Sequence, residues 1–225
     1  MTPFLTNTIV SVITLIYVFV VVAVMDFFVK KGFPQDLSRK VVHIAAASWL
    51  FCWFFIDATH WSMYFNILPA FVWFLLLLQK GFFAGPNDDA VKTMTRKGDR
   101  RELLRGPLYF TIVMMVMGTY FLNSEYALIT MGILGFGDGL APVVGTRYGK
   151  MKYKIFSEKT VEGSITFFIC GIIGSILFSQ IILGYFSFGL IIKLSIAATV
   201  IEALSPRDVD NLLIPIITFL VFFII

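Results

Sequence analysis

The 225-residue chain is 58% hydrophobic and only 14% charged, with a net charge of +4 and a mean hydropathy of +0.87. This apolar composition excludes a soluble globular domain and predicts a multi-pass α-helical membrane protein. Cys52 and Cys170 lie within apolar runs, so they indicate neither a metal-binding motif nor a disulfide framework.

Eight apolar segments are predicted to be transmembrane helices. They lie at about residues 7–29, 41–57, 61–79, 107–123, 126–144, 164–183, 186–204 and 210–225. The first has no charged N-terminal region and no small-residue cleavage site, so we expect a retained helix. We expect one all-α membrane domain over residues 1–225, with eight helices or alternatively seven, and no separate soluble domain.

The positive charges indicate an orientation. With eight alternating helices, every Lys and Arg residue except Lys193 lies in loops on one side. The positive-inside rule makes this side cytoplasmic, and the long loop 80–106 would lie there. The charge excess therefore reports topology and attraction to membrane lipids or nucleotides, and it does not indicate a nucleic-acid partner. Because no transit peptide is evident, we expect a prokaryotic plasma membrane, while the oligomeric state is left open.

Six ionisable residues lie inside the predicted spans or at their cytoplasmic ends. They are Asp26, His43, Asp138, Glu162, Glu202 and Asp210. Such groups are costly in a membrane and usually face a cavity or a partner. The six could meet in one site on the cytoplasmic face, or each could simply snorkel to the interface or cap a helix. The glycines and the proline around Asp138 favour a functional role for that residue.

The strongest functional signal is the stretch 137–163, where an acidic, glycine-rich segment is followed at once by a basic loop. The divalent cation of a nucleoside triphosphate prefers carboxylate oxygens, and its phosphates are bound by Lys, Arg and backbone N–H groups. Glycines allow the backbone to approach a phosphate closely. Those at issue are Gly137, Gly139, Gly145 and Gly149.

The end of the same stretch predicts a helix start. Ser157 or Thr160 could cap the helix that begins near Glu162, and Lys159 would act as a point charge on a phosphate. The chain has neither a Walker A motif nor a GxGxxG run. The segment therefore predicts nucleotide binding by a different arrangement.

Four blocks together resemble the CTP-dependent polyprenol kinase family, which includes dolichol, phytol and farnesol kinases and the yeast-type CTP-dependent diacylglycerol kinase. The blocks are Ser38–His43, an Arg-Lys-x-x-His element; Gly98–Tyr109, which is nearest the phytol kinase branch; Gly137–Gly163; and Glu202 with Asp208–Pro215. The combination, spread over about residues 38–215, is specific, whereas no single block is.

The resemblance implies Mg²⁺-dependent transfer of the γ-phosphoryl group of CTP to a membrane-embedded isoprenoid alcohol such as phytol, farnesol, geranylgeraniol or a polyprenol. The implied catalytic residues are Asp138, Lys40 and Glu202, and the implied metal ligands are Asp138, Glu162 and Asp210. The implied nucleotide-binding residues are Arg39, Lys40, Gly145, Arg147, Gly149, Lys150, Ser157, Lys159, Thr160, Gly163 and Asn211. The implied lipid-binding residues are His43, Arg105, Gly106 and Tyr109.

Three alternatives remain at this point. CTP:phosphatidate cytidylyltransferases share the pattern of the third block, but their C-terminal signature is absent here, and the Arg-Lys-x-x-His and Asp-Asn-x-x-x-Pro elements fit the kinases. A diacylglycerol kinase would carry the same motifs as an isoprenoid alcohol kinase. A lipid transporter would usually show inverted repeats and polar residues near the bilayer midplane, and neither is evident.

Overall fold

The computed structural model describes residues 1–85, 87–96 and 98–224. The α-helices in these ranges are α1 (Pro3–Lys30), α2 (Gln35–Ser48), α3 (Leu68–Phe83), α4 (Asp89–Met94), α5 (Gly106–Tyr120), α6 (Glu125–Gly132), α7 (Gly139–Tyr148), α8 (Val161–Leu183), α9 (Phe188–Leu204) and α10 (Asp210–Ile224). Tighter 3₁₀ turns occupy Trp49–Phe55, Trp61–Ile67 and Arg100–Leu104, and a π-helical segment, Ile133–Asp138, joins α6 to α7. Strands β1 (Lys152–Lys154) and β2 (Glu158–Thr160) form an antiparallel hairpin.

Every predicted span coincides with helical structure, which confirms the polytopic membrane helix bundle. Among the described residues, five stretches are long and apolar enough to cross a membrane: Pro3–Lys30, Trp61–Phe83, Arg100–Tyr120, Glu125–Tyr148 and Val161–Leu183. The second, seventh and eighth predicted spans correspond to shorter helices, so the total of eight or seven stays a prediction. The β1–β2 hairpin is a small departure from the all-α expectation.

The contacts divide the chain into two compact units, Met1–Leu122 and Asn123–Ile225. In the first unit, one end of α1 carries buried polar side chains. Asn7 donates through Nδ2 to the carbonyl oxygen of Asp57 and to Oγ of Ser62, both at 2.9 Å, and its Oδ1 accepts from the Asp57 N–H at 2.8 Å. Lipid chains cannot form hydrogen bonds with polar side chains. These groups can therefore be buried only because other parts of the protein provide their hydrogen-bond partners.

The described residues of the loop 80–106 are packed within the first unit. Its helix α4 is capped by Asp88, which also pairs with Lys80 at 2.5 Å. Asp26 accepts a hydrogen bond from Thr93, also in this loop. Buried apolar residues from the loop join the core of the unit: Val91, Met94 and Leu103 pack with Val22, Met25, Val42 and Leu77. The loop therefore contributes to the core, and Asp26 has a local structural partner.

The second unit is built on close packing between α8 and the stretch Glu125–Tyr148. A Cβ added at Gly132 would overlap the backbone of Gly174 and Ser175, and one at Gly137 would lie 2.9 Å from the carbonyl oxygen of Phe167. Small residues at these positions let two apolar helices approach closely, which is how membrane helices associate. Helices α9 and α10 complete the unit, with the Tyr126 hydroxyl donating to the Pro215 carbonyl at 2.7 Å.

Candidate functional site

The β1–β2 hairpin joins α7 to α8 and has two different faces. Its register pairs Tyr153 with Lys159, and both are half-buried, whereas Lys152, Lys154 and Glu158 are exposed. Alternation along a strand places successive side chains on opposite faces. The hairpin therefore directs Tyr153 and Lys159 into the unit and its other charged side chains outward.

Lys159 makes a buried ionic contact with two carboxylates. Its Nζ lies 2.6 Å from Oε1 of Glu202 and 3.7 Å from Oδ2 of Asp210, and it also donates to the main-chain carbonyl of Glu202. Glu202 lies in the last turn of α9 and Asp210 begins α10. A cation at the C-terminus of a helix is favourable, so Lys159 suits the end of α9 as well as the two acidic side chains.

Two polar residues that the sequence interpretation missed extend this cluster. The Tyr153 hydroxyl lies 2.6 Å from Oγ of Ser164, which is 3.5 Å from Oε2 of Glu202. Ser157, which was predicted to bind nucleotide, donates to the carbonyl of Ser205 at 3.1 Å. The alternation over the three residues 152–154 is too short a signal to identify Tyr153 from the sequence. Ser164 carried no signal beyond its place one turn into a helix.

Thr160 is the N-cap of α8, as predicted, and its Oγ1 accepts from the Gly163 N–H at 3.1 Å. Of the two expected capping residues, Ser157 is therefore not the cap. Glu162 accepts from the backbone N–H of Lys150 at 2.9 Å and of Met151 at 3.3 Å. The carboxylate of Glu162 thus stabilises the turn between α7 and β1. The sequence analysis did not predict this structural role.

The glycines between the end of α7 and the start of α8 lie too close to neighbouring atoms to carry a side chain without a shift. A Cβ at Gly145 would lie 2.8 Å from Oγ1 of Thr160, and a Cβ at Gly163 would lie 3.0 Å from the same atom. A Cβ at Gly149 would press on Thr160 and on the Gly145 carbonyl. These contacts join the end of α7 to the start of α8. They explain the glycines without a phosphate, so a phosphate-cradling role stays a prediction.

Asp138 ends the π-helical segment and is half-buried at the start of α7. Among the described residues, no three His, Cys, Asp or Glu side chains form a group suited to a metal ion, so Asp138, Glu162 and Asp210 are not gathered into a ready-made cage. Mg²⁺ in nucleotide-binding sites is commonly held by one or two carboxylates together with substrate phosphates and water. The buried Asp210 and the half-buried Asp138 fit that mode, and Mg²⁺ binding stays a prediction.

The remaining nucleotide-binding candidates differ in exposure. Arg147 lies in the last turn of α7 and, like Lys150, is exposed. Asn211 is buried, 6% exposed, and its backbone N–H donates to Oδ1 of Asp210 at 3.1 Å. The exposed side chains of Arg147 and Lys150 are accessible to a dissolved polyanion, whereas Asn211 belongs to the buried start of α10.

The other predicted residues lie in the first unit. Arg39 and Lys40 are in α2, where Arg39 is half-buried and Lys40 is 6% exposed. The His43 ring centroid lies 4.4 Å from that of Phe110 in α5, the helix that also carries Gly106 and Tyr109. His43 is therefore placed beside the predicted lipid-binding helix.

The block that includes Gly98 and Tyr109 forms a capped turn. Asp99 accepts from the Arg101 N–H at 2.9 Å, and Glu102 accepts from the Arg96 N–H at 2.7 Å. Arg105 is exposed immediately before α5. The hydrogen bonds of this block stabilise the turn at the start of Arg100–Tyr120, a stretch long enough to cross a membrane. Lipid binding by Arg105 stays a prediction.

Comparison with known proteins gives a consistent set of relatives. The chain is 34% identical over 211 residues to a probable chloroplastic phytol kinase of Triticum aestivum, covering 85% of this chain and 68% of the relative. It is 31% identical over 198 residues to phytol kinase 1 of Arabidopsis thaliana (83% and 65%) and 32% identical over 195 residues to the farnesol kinase of that plant (81% and 63%). No family model matches the chain, and no solved structure matches it.

The chain spans roughly two thirds of the length of these relatives, 68%, 65% and 63% in the three cases. All three are named as chloroplastic proteins. These names do not support the expected prokaryotic plasma membrane, although the apolar helices do support an integral membrane protein.

Proposed function

The chain belongs to the polyprenol kinase family, near its phytol kinase branch, and from this premise we propose that it transfers the γ-phosphoryl group of CTP to the hydroxyl group of an isoprenoid alcohol. The relatives named for phytol and farnesol support an alcohol of this chemical class. CTP as the donor rests on the resemblance of the four sequence blocks. The chain is accordingly a kinase, and its precise donor and acceptor form the proposal.

The observation that carries the proposal is the buried cluster of Lys159, Glu202 and Asp210. Burying three charges is costly unless they compensate one another, so such a cluster is a candidate functional site. It lies at the hairpin end of α8, a helix long and apolar enough to cross a membrane. The end of a membrane-spanning helix lies at the membrane surface, where a water-soluble nucleotide and the hydroxyl of a membrane-embedded alcohol can meet.

The reaction we propose is a direct displacement at phosphorus. The alcohol oxygen forms a bond to the γ-phosphorus, the bond from that phosphorus to the bridging oxygen breaks, and CDP leaves with the electron pair. We assign Asp138 to accept the hydroxyl proton, and Glu202 to fix the Lys159 ammonium beside the site. Positioning and charge neutralisation supply most of the rate in such transfers. Mg²⁺, held by the phosphates with Asp138 and Asp210, would supply part of that neutralisation.

Other assignments stay predictions from the resemblance. Arg39 and Lys40 are proposed to bind phosphate, and His43 to lie near the alcohol. The active site of this integral membrane protein is proposed to face the cytoplasm, as the positive charges of the loops predict. The prokaryotic plasma membrane expected from the sequence is not part of the proposal, because the relatives are named as chloroplastic. The diacylglycerol kinase and cytidylyltransferase alternatives differ in acceptor and in bond broken, so one assay separates them.

The deciding experiment uses purified protein in detergent, CTP labelled at the γ-phosphate, and a panel of phytol, farnesol, geranylgeraniol, a polyprenol, diacylglycerol and phosphatidic acid. We expect label in an isoprenoid monophosphate and release of CDP, dependent on Mg²⁺. Parallel reactions with labelled ATP and UTP test the donor. Release of pyrophosphate with formation of a CDP-lipid would replace the kinase assignment with a cytidylyltransferase, and label in diacylglycerol alone would replace the acceptor class.

A further inference from the structure

The tip of the β1–β2 hairpin exposes large apolar side chains outside the membrane-length helices. Ile155 and Phe156, between the two strands, are 52% and 68% exposed, and Met151, just before β1, is 64% exposed. Exposed apolar side chains are expected on helices that face lipid. On a short hairpin beyond the ends of such helices they form a small apolar patch that needs a different explanation.

The place of the hairpin in the chain brings this patch to the edge of the hydrocarbon layer. The hairpin connects the stretch Glu125–Tyr148 to α8, and both are long and apolar enough to cross a membrane. Only three residues, 149–151, separate Tyr148 from the first residue of β1 at Lys152, and β2 runs directly into α8. The tip is therefore held near the level at which two spanning helices leave the bilayer.

The exposed face of the hairpin is basic. Lys152 and Lys154 point away from the face that carries Tyr153 and Lys159, and they flank the apolar tip. Glu158 is the acidic residue of this face. A hydrogen bond from Lys152, together with the nearby charges of Lys154 and Arg207, holds the pKa of its carboxyl below the usual range. Cations therefore outnumber the single carboxylate around the tip.

We propose that the hairpin tip binds the headgroup region of an anionic bilayer leaflet, with Ile155 and Phe156 entering between lipids and Lys152 and Lys154 contacting lipid phosphates. Apolar side chains flanked by lysines are the combination that binds a membrane interface, because each part alone binds weakly. The helices anchor the protein in the bilayer already. The tip adds recognition of lipid charge, and this inference does not depend on the proposed kinase activity.

The lipid contact acts on the same strands as the buried cluster. Tyr153 follows Lys152 directly and pairs with Lys159 across the hairpin, so a fixed outer face also fixes the inner one. Anionic lipid is accordingly expected to reduce motion of β1 and β2. If the chain acts as proposed, anionic lipid would also favour activity, but the binding test below needs no catalysis.

The test places an environment-sensitive fluorophore on the tip of the protein in lipid nanodiscs. A cysteine is introduced by Phe156→Cys in a background with Cys52→Ser, Cys170→Ser and Glu158→Gln. The control is Glu158→Cys in the background with Cys52→Ser and Cys170→Ser, which has the same net charge. Nanodiscs are made from phosphatidylcholine with or without phosphatidylglycerol, and brominated acyl chains serve as the quencher. We expect quenching at position 156 that requires phosphatidylglycerol and weakens with added salt, and little quenching at position 158.

Adding Lys152→Gln and Lys154→Gln to the labelled protein tests the basic contribution. We expect the ratio of inserted to free tip to fall by about fivefold for each lysine removed. Absence of quenching at position 156, or quenching independent of lipid charge and salt, would overturn the proposal. So would quenching relieved by CTP, which would assign the tip to the nucleotide, or self-quenching between two labelled copies, which would assign it to a second chain.

Discussion

Nζ of Lys159 and Oε1 of Glu202 lie 2.6 Å apart, and the two side chains are only 13% and 11% exposed. This contact links β2 to the end of α9, and Asp210 extends it to α10. The sequence predicted Lys159 as a point charge for a phosphate. In the structure its charge is already compensated by two carboxylates, so its first task is to hold the cluster together.

Replacing Lys159 should therefore destabilise the protein itself. Lys159→Met removes the cation that contacts the buried carboxylates of Glu202 and Asp210, and we expect a loss of about 3 kcal/mol in the free energy of unfolding. The measurement is thermal unfolding of the purified protein in detergent. Lys152→Met is the matched control, because its pair with Glu158 is exposed to solvent and contributes little to stability.

The same cluster can be tested by a compensating change. Adding Glu202→Gln to Lys159→Met removes the carboxylate charge nearest to the lost ammonium group, and we expect part of the lost stability to return. Equal melting of the parent and Lys159→Met would contradict the structural role and favour the phosphate role that the sequence suggested.

Tyr153 is expected to act through Glu202. Tyr153→Phe removes the hydroxyl that contacts Ser164, which in turn is near Oε2 of Glu202, and keeps the ring. We expect kcat to fall by about tenfold, equivalent to ~1.4 kcal/mol, with little change in the KM for CTP. Steady-state kinetics on the preferred alcohol measure both values. Ser164→Ala should give the same pattern, whereas a change confined to KM would place Tyr153 at the nucleotide.

Asp138→Asn is expected to abolish phosphoryl transfer without unfolding the protein, because the amide has the shape of the carboxylate but neither its charge nor its basicity. The assay is label transfer from γ-labelled CTP, with thermal unfolding as the check on folding. Glu158→Gln, at an exposed acidic residue in the same unit, is the control and should retain activity. Turnover at the parent rate in Asp138→Asn would remove this residue from the mechanism.

The packing of α8 against the stretch Glu125–Tyr148 makes a prediction outside the site. A Cβ at Gly132 would overlap backbone atoms of Gly174 and Ser175, which cannot move aside as a side chain could. We expect Gly132→Ala to cost about 1–3 kcal/mol. Gly189→Ala is the control, since no atom lies within 4 Å of a Cβ there. Similar melting temperatures for the two variants would show that α8 can shift at little cost.

The helical architecture was predictable because membrane spans are encoded by long apolar runs. The cap at Thr160 was also predictable, since a hydroxyl before an acidic first turn is a local signal. The hairpin was missed because three-residue strands have almost no periodicity to detect. The contact of Tyr153 with Ser164 was missed for a different reason, because it depends on how the hairpin folds back on α8.

Other residues were recognised but given incomplete roles. Glu162 was assigned to a metal by the family resemblance, whereas its contacts with the N–H groups of Lys150 and Met151 depend on the path of the backbone between them. The glycines at 137 and 145 were assigned to phosphate binding, and the structure gives each a helix-packing neighbour. Residue type indicated where the important region lies, and three-dimensional packing determined what several of its members touch.

Within the stretch Glu125–Tyr148, the π-helical segment Ile133–Asp138 fixes the rotation of α7 relative to α6 about the helix axis. Each residue of a regular α-helix turns the chain by about 100°. Loss of one residue from the α-helix that precedes this segment, Glu125–Gly132, would rotate Asp138 and α7 by roughly that angle and carry the glycines at 145 and 149 away from Thr160. Evolutionary change in chain length is therefore far more costly here than at the hairpin tip, where an added residue only lengthens a turn.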